Sequence, residues 1–400
     1  MRDLKDWRKP LKIFNIILSS SILLTTTLIG SEDFLSQTKK DSIKYSYEKA
    51  MEDSNKLKED WINPITYKYI YNDGEVYTTK RSAITVSQPI FRSGGIYSAI
   101  KYANSYEKYS NTDIDTQKKE LIKQVISLLY QIKQIGISIA KQKLLVKNAK
   151  IDVQRKKEQV LNGITDSSFL DNAIIEANTR ENTLVDLEYQ KIELVNTLAT
   201  VSDKRYEELE LPIFSMIDND KFVENNIYIK KASQDIDTSY WVKNMVISSY
   251  LPTVNFTADY TKYHDIDNNP ALSEEGTKNV GFNITIPLDV RVSYDIQSNK
   301  IAYLQKKLAL EDKKKEEISL YKNSIAKIVS LEKKINIASN DVELYDSLLT
   351  QLQEQLSVGM STPSDVQTME NSKKIKALDV KSLNIDIQIE LLDIYSRIES

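Results

Sequence analysis

Two glycines, each followed by carboxylates, mark the places in this chain where charge could act. Asp166 and Asp171 follow Gly163, and Asp365 lies six residues past Gly359. Both stretches, "NGITDSSFLDNA" from 162 and "VGMSTPSDVQTM" from 358, read as a tight turn opening a helix. An acid in a first helical turn is favoured by the helix dipole, and Asp166 has the position of an N-cap. Small polar residues beside the glycines, such as Ser361 and Thr362, suit turn chemistry and also leave room for a partner helix. Little else is equipped for bond chemistry. There are no cysteines, so a disulfide, a thiolate metal site and a Cys nucleophile are excluded. The single histidine, His264, has Asp265 and Asp267 nearby, too few ligands for a metal, and reads as part of an exposed loop. No phosphate-binding loop is present. The expectation is a protein that is not an enzyme and holds no cofactor or metal.

The elements that position these acids can be read from pattern. The chain has 400 residues, 54 basic against 57 acidic, for a net charge of -3, which does not suit a nucleic-acid partner. Charged residues make up 28% and there are 9 glycines, a balance that favours long solvated helices over a loop-rich enzyme. Arg2, Lys5, Arg8, Lys9 and Lys12 precede the apolar run "IFNIILSSSILLTTTLIG" at 13–30. That order reads as a secretory signal peptide cut near Gly30 or Ser31; the competing reading is a retained anchor at the short limit for a span. No later stretch is long and apolar enough to span as a helix, so any later crossing would be by strands.

Two halves share one plan. "SQPIFRSGGIYSAIKYA" at 87–103 and "TIPLDVRVSYDIQSNKIA" at 285–302 each pass from a strand pattern through Pro89 or Pro287 into a long helical one. The helical patterns end at Gly163 and Gly359, and a shorter helical stretch follows each. In the first, Leu121, Val125, Leu128, Ile132, Ile135, Ile139, Val146, Ala149, Val153 and Val160 keep a heptad stripe that Gln142 and Lys156 interrupt. The second repeats it from Ile318 to Leu356, with one short step between Ile328 and Leu331. About 70 residues of helix span roughly 100 Å, twice the reach of the return helix, so a further helix before each strand pair is needed to cover the stripe. Residues 222–249 supply one; its counterpart at 41–61 reads as shorter. The resulting division is 1–30 signal, 31–201 first repeat, 202–221 linker and 222–400 second repeat. In "YLPTVNFTADYTKY" at 250–263, Val254, Phe256, Ala258 and Tyr260 alternate with Asn255, Thr257, Asp259 and Thr261, and "VGFNITIP" behaves alike. Such alternation fits a barrel strand in an outer membrane, with Tyr67, Tyr69 and Tyr71 as interfacial aromatics, or the edge of a soluble sandwich. Four strands cannot close a barrel, so a membrane reading requires several copies.

These motifs in this order resemble the TolC-type outer-membrane efflux protein family. The residues that carry the resemblance are "YLPTVNFTADY", "SQPIFRSGGIYSAI" with Gly94 and Gly95, "IPLDVRVSYDIQSNKIA", "LSVGMSTPSDVQTMENS" and "ENNIYIKKASQDI", over about 61–398. The resemblance implies a mainly α fold with a β-barrel contribution. Its two structural repeats would form a periplasmic tunnel of long coiled-coil helices, with four strands per chain in a shared 12-stranded trimeric barrel. It further implies a homotrimer in the bacterial outer membrane with a large periplasmic portion, in contact with outer-membrane lipid. Its partners would be a periplasmic adaptor (membrane fusion protein) and an inner-membrane pump of RND or ABC type. Function would be a passive efflux or type I secretion duct gated at its periplasmic tip; the alternative is an exported coiled-coil structural protein with no membrane barrel. By resemblance Asp365 is a lumenal gate carboxylate, with Thr368 where relatives often have a second acid and Asp166 and Asp171 as substitutes. Gly163, Gly359, Ser361 and Thr362 would meet the adaptor, and Pro89, Gly94, Gly95 and Pro287 mark the strand-to-helix junctions. Leu356 and Ser361 stand where some members lock the tip with aromatic and basic groups. Val290 and Arg291 replace glycines at the second junction.

Overall fold

A computed structural model describes residues 32–74, 78–265 and 276–399, with the side chain of Asp265 not described. The signal segment at 1–30, Glu75 of the first hairpin turn and Asp267 lie outside the described residues. After a 3-10 turn (Glu32–Phe34) the elements are α1 (Gln37–Glu59), β1 (Thr66–Asp73), β2 (Thr78–Phe91), α2 (Gly95–Leu161) and α3 (Ser167–Ala199). Then come α4 (Asn219–Glu224), α5 (Ile227–Ser249), β3 (Thr253–Asp265), β4 (Thr277–Thr285), α6 (Val292–Ser357) and α7 (Pro363–Tyr395). Helix, strand pair, long helix and return helix thus occur twice. None of the described helices is long and apolar enough to cross a membrane.

The helix before the first strand pair is not short. α1 and α5 each have 23 residues. The sequence pattern hides the start of α1 because its first turns, "QTKKDS", are polar on every side. Ser36 supplies the missing signal, its Oγ accepting from the Lys39 amide at 3.4 Å as an N-cap.

The chain divides into two compact units, and each draws on both halves of the sequence. One holds residues up to Lys40, Lys119–Asp218 and Lys322 onward. Its core gathers Phe34, Leu35, Ile122, Val125, Ile126, Leu129, Leu198, Phe214 and Leu392, all buried. The segment after α3 is strapped on by side chains. Gln388 accepts from the Phe214 amide at 2.7 Å and donates back to the Phe214 carbonyl at 3.2 Å. The Tyr130 hydroxyl donates to the Pro212 carbonyl, and burial pushes its pKa up. Gln142, a break in the heptad, is buried because its amide donates to the Arg180 carbonyl at 2.8 Å, capturing a backbone acceptor of α3. α7 is keyed to α2 by three acids at heptad spacing: Asp379 with Lys141 at 2.6 Å, Asp386 with Gln134 at 2.7 Å and Asp393 with Lys123 at 2.5 Å. The short step in α6 leaves the helix continuous, with Ile328 and Leu331 both buried.

The other unit holds Asp41–Lys118 and Asn219–Tyr321. Ser54, fully buried, donates to the Ala103 carbonyl and to Glu107, whose carboxyl is held below its ordinary pKa by hydrogen bonds from Lys58 and Ser54. Asn226 caps α5, accepting from the Tyr228 and Ile229 amides at 2.9 and 3.1 Å while its amide donates to buried Glu317 at 3.0 Å. The strands form one antiparallel sheet in the order β1-β2-β3-β4, so β1 and β4 are its edges. Cross-strand rows such as Tyr67–Ile84–Tyr260, Val86–Ala258–Val280 and Phe256–Phe282 put the apolar residues on one face. Thr85–Asp259–Asn279 and Asn255–Asn283 lie on the other.

Candidate functional site

At the first junction the chain turns out of β2 through Ser93 and Gly94, both left-handed at φ 45° and 85°. Gly95 then opens α2, and a Cβ there would lie 2.6 Å from Ser248 Oγ, so the close approach of α5 requires a glycine. Pro89 is fully buried in β2 beside a register shift. The second junction turns at Pro287 by other means. Among the described residues no left-handed conformation occurs there. Instead the Asp289 carboxylate accepts from the Arg291 amide at 2.9 Å and from its guanidinium at 2.6–3.1 Å. Those bonds hold the Asp289 pKa at about 2 and raise that of Arg291. A chelated side chain here does the work of the paired glycines at the first junction.

The two long helices stop in the same way. Gly163 (φ 68°) donates to the Val160 carbonyl at 3.0 Å while Ile164 reaches back to Gln159 at 2.8 Å. Gly359 (φ 76°) donates to Leu356 at 3.1 Å and Met360 reaches Gln355 at 2.8 Å. Both are left-handed C-terminal caps that satisfy the last carbonyls of the helix. In each the following apolar residue is left outside. Ile164 is 71% and Met360 80% exposed, and Leu161 and Val358 flank them, also exposed.

Past the second turn, Thr362 and Asp365 form a capping box. The Asp365 amide donates to Thr362 Oγ1 at 3.2 Å, and Asp365 Oδ2 accepts from the Thr362 amide at 3.1 Å and hydroxyl at 2.7 Å. The other carboxylate oxygen accepts from Arg155 Nη2 of α2 at 2.9 Å. Hydrogen bonds from Thr362, and behind them the Arg155 charge, hold the Asp365 carboxyl below its ordinary range. Arg155 carries no signal in the sequence; it sits in a run of charged residues, and only the fold brings it to the acid. Ser361 Oγ donates to the Leu352 carbonyl at 3.0 Å, and Thr368 Oγ1 donates to the Ser364 carbonyl at 2.8 Å. Asp166 caps α3 through the Ser168 amide at 2.8 Å, which lowers its pKa, and Asp171 is exposed one turn on. Among the described residues, Asp166 and Asp171 share no partner with Asp365. His264 is placed at the end of β3, its Nε2 2.8 Å from Ser82 Oγ.

Residues 53–202 match the family model for outer membrane efflux proteins. No curated protein matches the chain. Among solved structures the similarity extends over nearly all of it. The outer membrane protein VceC from Vibrio cholerae is 14% identical with a TM-score of 0.70, covering 93% of this chain and 95% of that one. The chain has the outer-membrane efflux protein fold. The CmeC outer membrane channel of Campylobacter jejuni is 11% identical, with a TM-score of 0.70 over 93% of this chain and 84% of its own. The open state of the MtrE outer membrane channel of Neisseria gonorrhoeae gives 11%, 0.70, 93% and 88%. At such identities it is the efflux-protein fold that is shared, and the tip and junction chemistry above belongs to this chain.

Proposed function

We propose that the protein is a passive conduit in the bacterial outer membrane, the outer component of a tripartite efflux or type I secretion system. The observation that carries this reading is the sheet. Toward the helices one face is mainly apolar and the other mainly polar, and among the described residues neither edge strand has an outer neighbour. Open edges are not tolerated in lipid. Three copies joined edge to edge close 12 strands, apolar face outward, and their helices line a periplasmic duct. Residues 1–30 direct export, and 31–201 and 222–400 act as repeats about a joining segment at 202–221. The exposed apolar residues beside Gly163 and Gly359 give a periplasmic adaptor its footing, and through it an inner-membrane pump.

Three Asp365 carboxylates near the axis form the gate, each held in its ionised form by the Thr362 hydrogen bonds and, behind them, by Arg155, whose charge offsets part of the repulsion within the ring. The test is single-channel conductance in planar bilayers, native protein against Asp365→Ala. A small, cation-selective native conductance that loses selectivity in the variant supports duct and gate. An unchanged variant keeps the duct and removes Asp365 from the gate. Absence of any channel, with the protein fractionating away from the outer membrane, returns the chain to an exported coiled-coil structural protein.

A further inference from the structure

The apolar face of the sheet changes character toward the hairpin ends, away from the helices. Apart from Gln88, opposite Phe256, its rows are apolar from Val254–Ile284 up to Val86–Ala258–Val280. The next row is Tyr67–Ile84–Tyr260–Lys278, and the one beyond it Tyr69–Ser82–Lys262. Lys262 and Lys278 are exposed and stand diagonally across β3 and β4. Diagonal neighbours on one face lie roughly 7–8 Å apart. Neither lysine has an ion pair among the described residues. Lys80, opposite Tyr71, lies on this face too. The described carboxylate there, Asp73, is two strands from Lys262 and already accepts from Thr78 Oγ1 at 3.0 Å. The aromatic groups are positioned around the lysines. The Lys278 ammonium is 5.7 Å from the Tyr260 ring centre, and Tyr67 Oη lies 3.0 Å from Ser82 Oγ, which also meets His264. The Tyr69 and His264 rings are 6.2 Å apart.

Two like charges this close repel, and a lysine pair at the polar margin of an apolar face gains from an anion seated between its ammonium groups. Lysine stems lie along apolar surface while their heads reach the interface, where tyrosine rings also gather. We propose that Lys262 and Lys278, framed by Tyr67, Tyr69 and Tyr260, bind the phosphate groups of lipids in the outer leaflet. The proposal rests on the apolar face being the lipid-facing one. In a trimer the site occurs three times around the barrel. It ties the protein to phosphate-bearing lipid and fixes its depth in the bilayer.

The test uses the full protein in micelles of an uncharged, phosphate-free maltoside detergent supplied with lipid A bisphosphate or with the same lipid lacking phosphate. Retained lipid A is counted by native mass spectrometry. Wild type is expected to retain the phosphorylated form selectively, and Lys262→Gln/Lys278→Gln to bind it about thirty-fold more weakly, from the two lost surface charges. Equal retention of both lipids by wild type, or unchanged retention by the variant, overturns the site. Conductance of the same samples separates the two readings. Channels without phosphate selectivity remove the site and leave the duct; no channels remove the duct and the site with it.

Discussion

The capping box at the head of α7 makes a quantitative prediction about what holds the turn between α6 and α7. Two amides there each depend on a different side chain: Thr362 N on Asp365 Oδ2, and Asp365 N on Thr362 Oγ1. Losing one such cap costs about 1 kcal/mol, within a range of about 0.5–2. The Arg155–Asp365 pair at 2.9 Å would be worth about 1.4 kcal/mol between unit charges in water. Both partners are more than a third exposed, so solvent, salt and side-chain entropy reduce this to about 0–1 kcal/mol. Asp365→Ala removes cap and pair together and should loosen the first turn by about 1–2 kcal/mol, a rise of roughly 5–30-fold in hydrogen exchange at the Thr362 amide. Thr362→Ala should release the Asp365 amide about five-fold and spare its neighbour. Arg155→Ala should change either amide by less than about five-fold. If Arg155→Ala matches Asp365→Ala, the ion pair rather than the box holds the turn and the reasoning fails. The pH dependence has a definite sign. The folded-state pKa of Asp365 lies below its ordinary 3.8, so its contribution is complete above that value and fades as pH falls through the lower, folded one. Protection of these amides, measured against their intrinsic exchange rate at each pH, should therefore be flat from neutrality down to about pH 5, a unit above the ordinary value, and fall only in stronger acid.

Two further outcomes follow from the same structure. Asn226→Ala removes the cap of α5 and a hydrogen bond to buried Glu317, and should cost about 2–4 kcal/mol in thermal or denaturant unfolding; a loss below about 0.5 kcal/mol would show that neither contact matters. Gly163→Ala and Gly359→Ala meet no atom within 4 Å, so each should cost only the backbone penalty of a left-handed residue, about 1–2 kcal/mol locally, read as faster exchange at the tip; no change in exchange would contradict the left-handed turns.

Where the sequence was legible, a local rule was at work. Alternation in "YLPTVNFTADY" is a period of two, and the pairing of β3 with β4 keeps it on the expected faces. A glycine after a long heptad stripe is a stop signal, and both long helices end beside one. The start of α1 was illegible because a single capping serine is a weak mark inside a charged run. Gln142 read as a flaw in the stripe, since its partner is a carbonyl of another helix. Arg155 and Gln388 were hidden for the same reason: their partners are far away in sequence, and charge or amide chemistry alone does not say which of many acids or carbonyls will be met. The second junction was legible only in outline. The absence of glycines there suggested a different bend, and the structure supplies it through one carboxylate and the arginine two residues on.

The acids that key α7 to α2 have even teeth set against an uneven rack. Asp379, Asp386 and Asp393 step by seven, whereas Lys141, Gln134 and Lys123 step by seven and then eleven. If α7 slid by one heptad, Asp386 would meet Lys141 and Asp393 would meet Gln134, while Asp379 would move toward Asn148 beside Lys147, but Lys123 would lose its acid. The full set of three contacts is therefore made at one register, and a slide of one heptad forfeits the Lys123–Asp393 ion pair. The axial setting of α7 on α2 is thus written into the spacing of three partners.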